Sequence, residues 1–168
     1  MKRVFTSVLV AFLILITLPA GCALPKGEGF ALYLPSREIP VSVMPALSHV
    51  DLADESLISV DDIISYAKET HEIELTAGAY ERISKLEVPI DGRVFVACID
   101  RSPVYWGAFW TPISSISFDG VAILKPLASE RHLIQLQPGY PSPEFFTGED
   151  PRPNPEILQS LLRAGKLK

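Results

Sequence analysis

The stretch RVFVACIDRSPVYWGAFW, residues 93–110, decides the fold. Two runs rich in β-branched and aromatic residues, 93–99 and 104–110, flank Asp100-Arg101-Ser102-Pro103, whose residue types favour a turn. Both runs are apolar at nearly every position, which is typical of strands buried on two faces. The sequence therefore predicts a hairpin in the interior of a sheet rather than at its edge.

The segments before the hairpin predict strands and helices in turn. Residues 30–34 form a first predicted strand, and three prolines interrupt residues 35–48. Ser59, followed three residues later by Asp62, resembles a capping box and predicts a helix that buries Ile63, Ile64 and Ala67. Residues 71–76 alternate between apolar and polar, which predicts a strand. Thr76 then caps a helix whose inner positions are Ala79, Tyr80, Ile83 and Leu86.

The segments after the hairpin add further strands and a final helix. Strands are predicted at 121–124 and 132–137, and a proline-rich surface wrap at 138–155. Asn154 and Pro155 begin a helix whose inward positions are Ile157, Leu158, Leu161 and Leu162. The whole predicts an α+β fold over residues 30–168, a single domain with a mostly antiparallel sheet and helices packed on one face.

Residues 1–21 have the pattern of an export signal. Lys2 and Arg3 precede 15 uncharged residues, Val4 to Leu18. That run suits a signal peptide and is shorter than the ~20 residues that span a bilayer. The motif Leu18-Pro19-Ala20-Gly21-Cys22 follows.

This motif resembles the lipobox of bacterial lipoprotein precursors, with Pro19 at the position where leucine is usual. The resemblance implies cleavage before Cys22, a lipid on its thiol, and a short linker up to residue 29. It predicts a protein held on the extracytoplasmic face of a cell membrane. Two alternatives remain: an ordinary signal cut near Ala20, and a retained transmembrane helix.

The charge of the mature chain limits its partners. Residues 22–168 contain 13 basic and 20 acidic residues, a net charge of −7. Such a chain is repelled by nucleic acid and by anionic headgroups, so no nucleic acid partner is expected. Cys98 is the only cysteine besides Cys22, and its apolar strand predicts a small buried side chain rather than a reactive thiol.

Residues 72–123 resemble the periplasmic head of the protein-export membrane protein SecD. The shared pattern is a strand, a helix beginning near Thr76, Gly92-Arg93, an apolar strand ending at Asp100, and a returning strand. Gly120-Val121-Ala122-Ile123 matches the point where that family turns back. The resemblance implies a related fold and contact with exported chains, without a translocation channel.

Catalytic and metal-binding motifs are absent from the sequence. His49, His71 and His132 have no metal-ligand spacing, so neither a metal nor a cofactor is predicted. Serines occur at 114, 115 and 117, outside any Gly-x-Ser-x-Gly motif. A small envelope hydrolase using a serine or a carboxylate is the alternative function, and it requires His71 or His132 within hydrogen-bond reach of one of these serines or of an acidic residue.

Aromatic residues are concentrated in and after the second strand of the hairpin. On alternating strand faces, Trp106 and Trp110 point one way while Tyr105 and Phe109 point the other. One set belongs to the core, and the other is either core or a docking surface for a peptide or glycan. The predicted function is a non-catalytic binding module for envelope proteins or exported chains, with candidate binding residues Tyr105, Trp106, Phe109, Trp110 and Phe118.

Overall fold

A computed structural model describes residues 27–126 and 131–168. The described part contains eight strands and two helices, which confirms the predicted α+β class. The strands are β1 (Phe30–Tyr33), β2 (Ile63–Ala67), β3 (Glu72–Leu75), β4 (Arg93–Ile99), β5 (Ser102–Trp110), β6 (Phe118–Leu124), β7 (Leu133–Gln135) and β8 (Gln137–Tyr140); the helices are α1 (Ala77–Lys85) and α2 (Pro155–Arg163). The predicted signal peptide and Cys22 lie outside the described residues.

The central hairpin forms as predicted, from β4 and β5. Arg93 pairs with Phe109 and Ile99 with Ser102, with one irregularity in register after Ala97. The turn consists of Asp100 and Arg101 only, so it is shorter than the predicted tetrapeptide. Both residues have positive φ values, 49° and 65°. Two successive left-handed residues suit a two-residue hairpin, since their twist matches that of the strands.

The strands form two sheets. The larger has the order β1-β4-β5-β6-β8 and the smaller the order β2-β3-β7. All pairings are antiparallel except that of β5 with β6, which is parallel. The connection 111–117 therefore runs back along the sheet before β6 begins, without the helix that usually joins parallel neighbours.

Both helices and the smaller sheet cover one face of the larger sheet, here called the inner face. Phe95, Phe109 and Ile123 of the larger sheet are fully buried there. Their neighbours include Ile73 of the smaller sheet, and the helices contribute Ala79, Tyr80, Ile83, Ile157 and Leu161. The predicted packing of helices on one face is confirmed. Leu162, predicted to face inward, is 64% exposed.

The prediction of a helix after Ser59 is wrong. The N–H and the hydroxyl of Ser59 both donate to the Asp62 carboxylate, at 2.9 Å each, but they close only a single 3-10 turn over Val60–Asp62. The chain then continues as β2, with Ile63 buried and Ile64 50% exposed. Isoleucine favours strands because its branched side chain packs well on a pleated surface, and pairing with β3 satisfies the backbone.

The prediction of an irregular proline-rich wrap over 138–155 is wrong for its first residues. Gln137–Tyr140 forms β8, an edge strand beside β6 that contains Pro138. Proline is compatible with an edge because the missing N–H has no neighbouring strand to bond. The strand predicted at 132–137 is observed as β7, which is shorter than predicted and belongs to the smaller sheet.

The chain enters the domain beside the hairpin turn. The N–H of Gly29 donates to the Asp100 carboxylate at 2.7 Å, and the N–H of Asp100 donates to the Gly29 carbonyl at 3.0 Å. The N–H of Phe30 donates to Ser160 Oγ at 2.9 Å. Within residues 27–126 and 131–168, no helix is long and apolar enough to cross a bilayer.

Candidate functional site

The outer face of the larger sheet is covered by irregular chain rather than by helices. Met44 packs against a cluster on β1 and β4, and Val41 packs against a second cluster that contains Trp110 and Phe118 of β5 and β6. The connection 111–117 is hydrogen-bonded to Trp110 in this second cluster. Trp106 packs against both of these clusters and remains partly exposed. A groove of about 590 Å³ lies between the two coverings; we call it the aromatic groove. Its lining is Val41, Ser42, Met44, Asp91, Trp106, Trp110, Ile116, Ser117, Phe118 and Asp119.

Stacked aromatic rings form the floor of the aromatic groove. The rings of Trp110 and Phe118 lie parallel, with centroids 5.1 Å apart and an interplanar angle of 9°. Trp106 meets Phe118 at 5.8 Å in a tilted arrangement. Gly92 allows Trp110 its position, because a Cβ there would lie 2.2 Å from the indole ring and φ is +87°. Of the three rings in this floor, that of Trp106 is the partly exposed one.

The 111–117 wall of the groove is fixed by hydrogen bonds from buried side chains. Trp110 Nε1–H donates to the Ile116 carbonyl at 3.2 Å. The Tyr140 hydroxyl lies 3.1 Å and 3.0 Å from the Pro112 and Ser114 carbonyls. Ser114 Oγ donates to the Ile90 carbonyl and accepts from the N–H of Ile116. The wall therefore has a defined shape before any ligand arrives.

Large apolar side chains are exposed around this wall and the opposite one. Ile116 lines the groove and is 43% exposed, while Ile113 on the same connection is 84% exposed. Ile90 and Val43 adjoin lining residues and are 62% and 65% exposed. Exposed apolar side chains that cluster, rather than occur singly, mark interaction surfaces.

The groove carries negative charge and no positive charge. Asp91 and Asp119 are exposed lining residues, and no lysine or arginine is among the lining. The only bond recorded for either carboxylate is from Thr147 Oγ1 to Asp119, at 3.3 Å. Neither forms an ion pair with any residue in 27–126 or 131–168.

The structure divides the aromatic residues identified from sequence. Tyr105 and Phe109 belong to the inner core, are 5% and 0% exposed, and lie away from the groove. Trp106, Trp110 and Phe118 share the outer face and build the floor. Sequence reasoning missed the walls and the two aspartates; two isoleucines in the serine-rich stretch 113–117 were the available signal.

Cys98 is fully buried on the outer face among Ala31, Tyr33 and Val96. Burial raises the pKa of its thiol to about 11. The thiol is therefore protonated and unreactive at neutral pH, as the sequence predicts for a small buried side chain.

A buried polar cluster lies on the inner side, where the two sheets meet. His71 Nδ1 and the Tyr66 hydroxyl share a hydrogen bond of 2.8 Å, and both residues are buried. Arg152 binds Asp150 through two bonds of 2.8 and 2.7 Å and donates to the Leu136 carbonyl. The Arg152 side chain lowers the pKa of the Asp150 carboxyl. Burial first, and then the positive charge of Arg152, lower the pKa of His71.

The lowered pKa of His71 predicts a loss of stability on mild acidification. The unfolded chain takes up a proton on this histidine below about pH 6.5, and the folded protein does so only at lower pH. The free energy of unfolding should therefore fall as the pH drops below that value. His71→Asn, which suits the positive φ of 54°, should flatten this part of the profile in urea titrations.

One control variant and a separate pH window make the pH experiment specific. His49→Asn changes an exposed histidine and should retain the wild-type dependence. The lowered carboxyl pKa values of Asp62 and Asp150 act in a separate window, because that stability is lost only below about pH 4. An unchanged slope between pH 7.5 and 5.5 in His71→Asn would contradict the assignment.

The hydrolase alternative requires His71 or His132 within hydrogen-bond reach of a serine in 114–117 or of an acidic side chain. His71 is bonded to Tyr66, and the His132 ring packs on Tyr80 with centroids 5.1 Å apart. The Ser114 hydroxyl is engaged with backbone groups of Ile90 and Ile116. Within residues 27–126 and 131–168, neither histidine side chain is hydrogen-bonded to these serines or to an acidic side chain, so no observation favours the hydrolase.

The cavity at the chain entry and the acidic side chains suggest no second candidate site. A cavity of about 470 Å³ near the chain entry is lined by acidic and basic residues together and by no aromatic ring. In the described part of the chain, no group of three or more His, Cys, Asp or Glu side chains could hold a metal ion.

Comparisons with protein-family models, curated proteins and solved structures find no match. The resemblance of residues 72–123 to the SecD head therefore stays a prediction.

Proposed function

We propose that this chain is a lipid-anchored, extracytoplasmic binding module of the cell envelope that holds protein partners in its aromatic groove. The lipobox-like motif ending at Cys22 supports the anchor. A single observation carries the binding role: Trp106 is partly exposed on a stacked aromatic floor, between walls that present apolar side chains to solvent. Exposed tryptophan surrounded by apolar contacts is the residue type that contributes most to protein interfaces.

The position of the groove relative to the chain entry supports a protein partner rather than the bilayer. The chain enters where Phe30 pairs with Ile99, at the turn end of the hairpin. Asp91 and Trp110 lie toward the other end, about 20 Å away at ~3.4 Å per residue along β4. A linker attached at one end leaves the Asp91 and Trp110 end of the groove on the part of the sheet farther from the anchor, accessible to envelope proteins.

The anchor half of the proposal predicts that fatty acid is attached through Cys22 alone. Cells fed a labelled fatty acid should yield labelled wild-type protein and unlabelled Cys22→Ser protein. Two or more acyl chains hold a protein stably at a bilayer, so the labelled form should remain with the membrane after a high-salt wash. Mass spectrometry should find a mature N-terminus at Cys22 carrying the lipid.

The chain offers a matched control for this experiment. Cys98 is the only other cysteine, and Cys98→Ser should keep the full label. Label in Cys22→Ser, or a mature N-terminus at another residue, would refute the anchor. The binding half is tested by crosslinking from Ile116 in the groove wall against Ile64 on the smaller sheet.

A further inference from the structure

We infer that the aromatic groove takes a peptide segment in which large apolar side chains are flanked by lysine or arginine. This inference rests on the proposed binding function and specifies its ligand. It follows from three features of the groove: the charge of its lining, the spacing of its two carboxylates, and the aliphatic character of its walls.

The two carboxylates lie at different positions along the groove. Asp91 precedes β4, whose first residue Arg93 pairs with Phe109 near the end of β5. Asp119 lies near the start of β6, before Val121, which pairs with Gly107. The parallel register thus places Asp119 closer to the middle of β5. A ligand lying along the groove therefore meets the two carboxylates at different points along its length.

Both carboxylates are available to a cationic partner. They are exposed, form no ion pair within the described residues, and share the groove with no basic side chain. A guanidinium or ammonium between them and Trp106 gains both charge attraction and contact with the electron-rich indole face. An acidic peptide would meet repulsion from both carboxylates.

The walls favour apolar peptide side chains over sugars. Ile116, Met44 and Val41 line the groove, and Ile113 is exposed beside it. These aliphatic groups bury leucine-sized side chains well. Of the lining side chains, only Ser42, Ser117 and the two aspartates have hydroxyl or carboxyl groups that could bind sugar hydroxyls. A second copy of this chain is disfavoured as the occupant, because two acidic grooves on chains of net charge −7 repel each other.

Tryptophan fluorescence of the mature lipidated chain in detergent tests the inference. The chain has two tryptophans; Trp110 is 1% exposed, so a ligand that covers the groove changes mainly the emission of Trp106. The ligands are three nine-residue peptides with the same apolar centre and lysine, serine or glutamate flanks, plus a neutral N-acetylglucosamine tetramer. The lysine peptide should shift the emission to the blue and bind about tenfold more tightly than the glutamate peptide.

Charge-neutralising variants separate this effect from general electrostatics. Asp91→Asn with Asp119→Asn should remove the difference between the lysine and glutamate peptides. Asp51→Asn with Asp54→Asn neutralises two exposed carboxyls that do not line the groove, and should leave the difference intact. Both double variants keep oxygen acceptors and lie at exposed positions, so folding should be preserved.

The possible failures are distinguishable. Equal binding of the lysine and glutamate peptides would overturn the charge preference and leave the groove as a binding site. Binding of the sugar tetramer without the lysine peptide would overturn the peptide class. The absence of any emission change with all four ligands would overturn both this inference and the proposed function of the groove.

Discussion

Gly107→Ala is expected to destabilise the domain by about 3 kcal/mol, at the upper end of the range for overpacked cores. Gly107 lies in the middle of β5 and pairs with Val121 of the parallel strand β6. A Cβ there would lie 2.3 Å from the Val121 carbonyl oxygen and 2.5 Å from the Phe95 ring. The oxygen belongs to backbone and the ring to the packed core, so neither moves without breaking other contacts.

The same substitution in α1 provides the control. Gly78 is exposed near the start of the helix, and a Cβ there would meet no atom within 4 Å. Gly78→Ala should therefore stabilise the domain by about 0.5–1 kcal/mol, because alanine loses less backbone entropy in a helix. Urea unfolding followed by circular dichroism measures both changes. A loss below about 1 kcal/mol for Gly107→Ala would contradict the parallel register of β5 and β6.

The elements with strong local signals were predictable from the sequence. The hairpin has two apolar strands around a turn, and both α-helices have side-chain caps, at Thr76 and Asn154. In each case neighbouring residues contain the information that sets the structure. The alternation in residues 71–76 likewise identified the buried face of β3, where His71, Ile73 and Leu75 are buried.

The errors arise where distant pairing decides between local alternatives. The Ser59–Asp62 box is a sound helix start, yet pairing of Ile63–Ala67 with β3 made the next residues a strand. The seven residues after Trp110 read as a loop, and nothing local indicates that β6 would run parallel to β5. That parallel pairing carries the connection 111–117 over the outer face, where it forms one wall of the groove.

The candidate site was therefore only half visible in the sequence. Strand alternation correctly put Trp106 and Trp110 on a different face from Tyr105 and Phe109. It could not tell which face would be open, because both faces of the sheet are covered and only the coverings differ. The acidic residues Asp91 and Asp119 come from segments 28 residues apart, so only the folded chain brings them to one groove.

Trp106→Ala is expected to weaken partner capture at the groove strongly. Truncating a tryptophan at the centre of an interface costs at least about 2 kcal/mol, which corresponds to roughly a 30-fold loss of affinity. The ring is partly exposed, so its removal leaves the Trp110–Phe118 stack and the inner core in place. Circular dichroism and the unfolding midpoint of the variant should verify that the domain remains folded.

Photocrosslinking in intact cells tests the central claim most directly. A photoreactive residue replaces Ile116 in the groove wall or Ile64 on the smaller sheet, two isoleucines that are 43% and 50% exposed. The proposal predicts a discrete adduct with an envelope protein from position 116, none from position 64, and loss of the adduct when Trp106→Ala is added. Equal adducts from both positions, or an adduct from position 116 that survives Trp106→Ala, would contradict it.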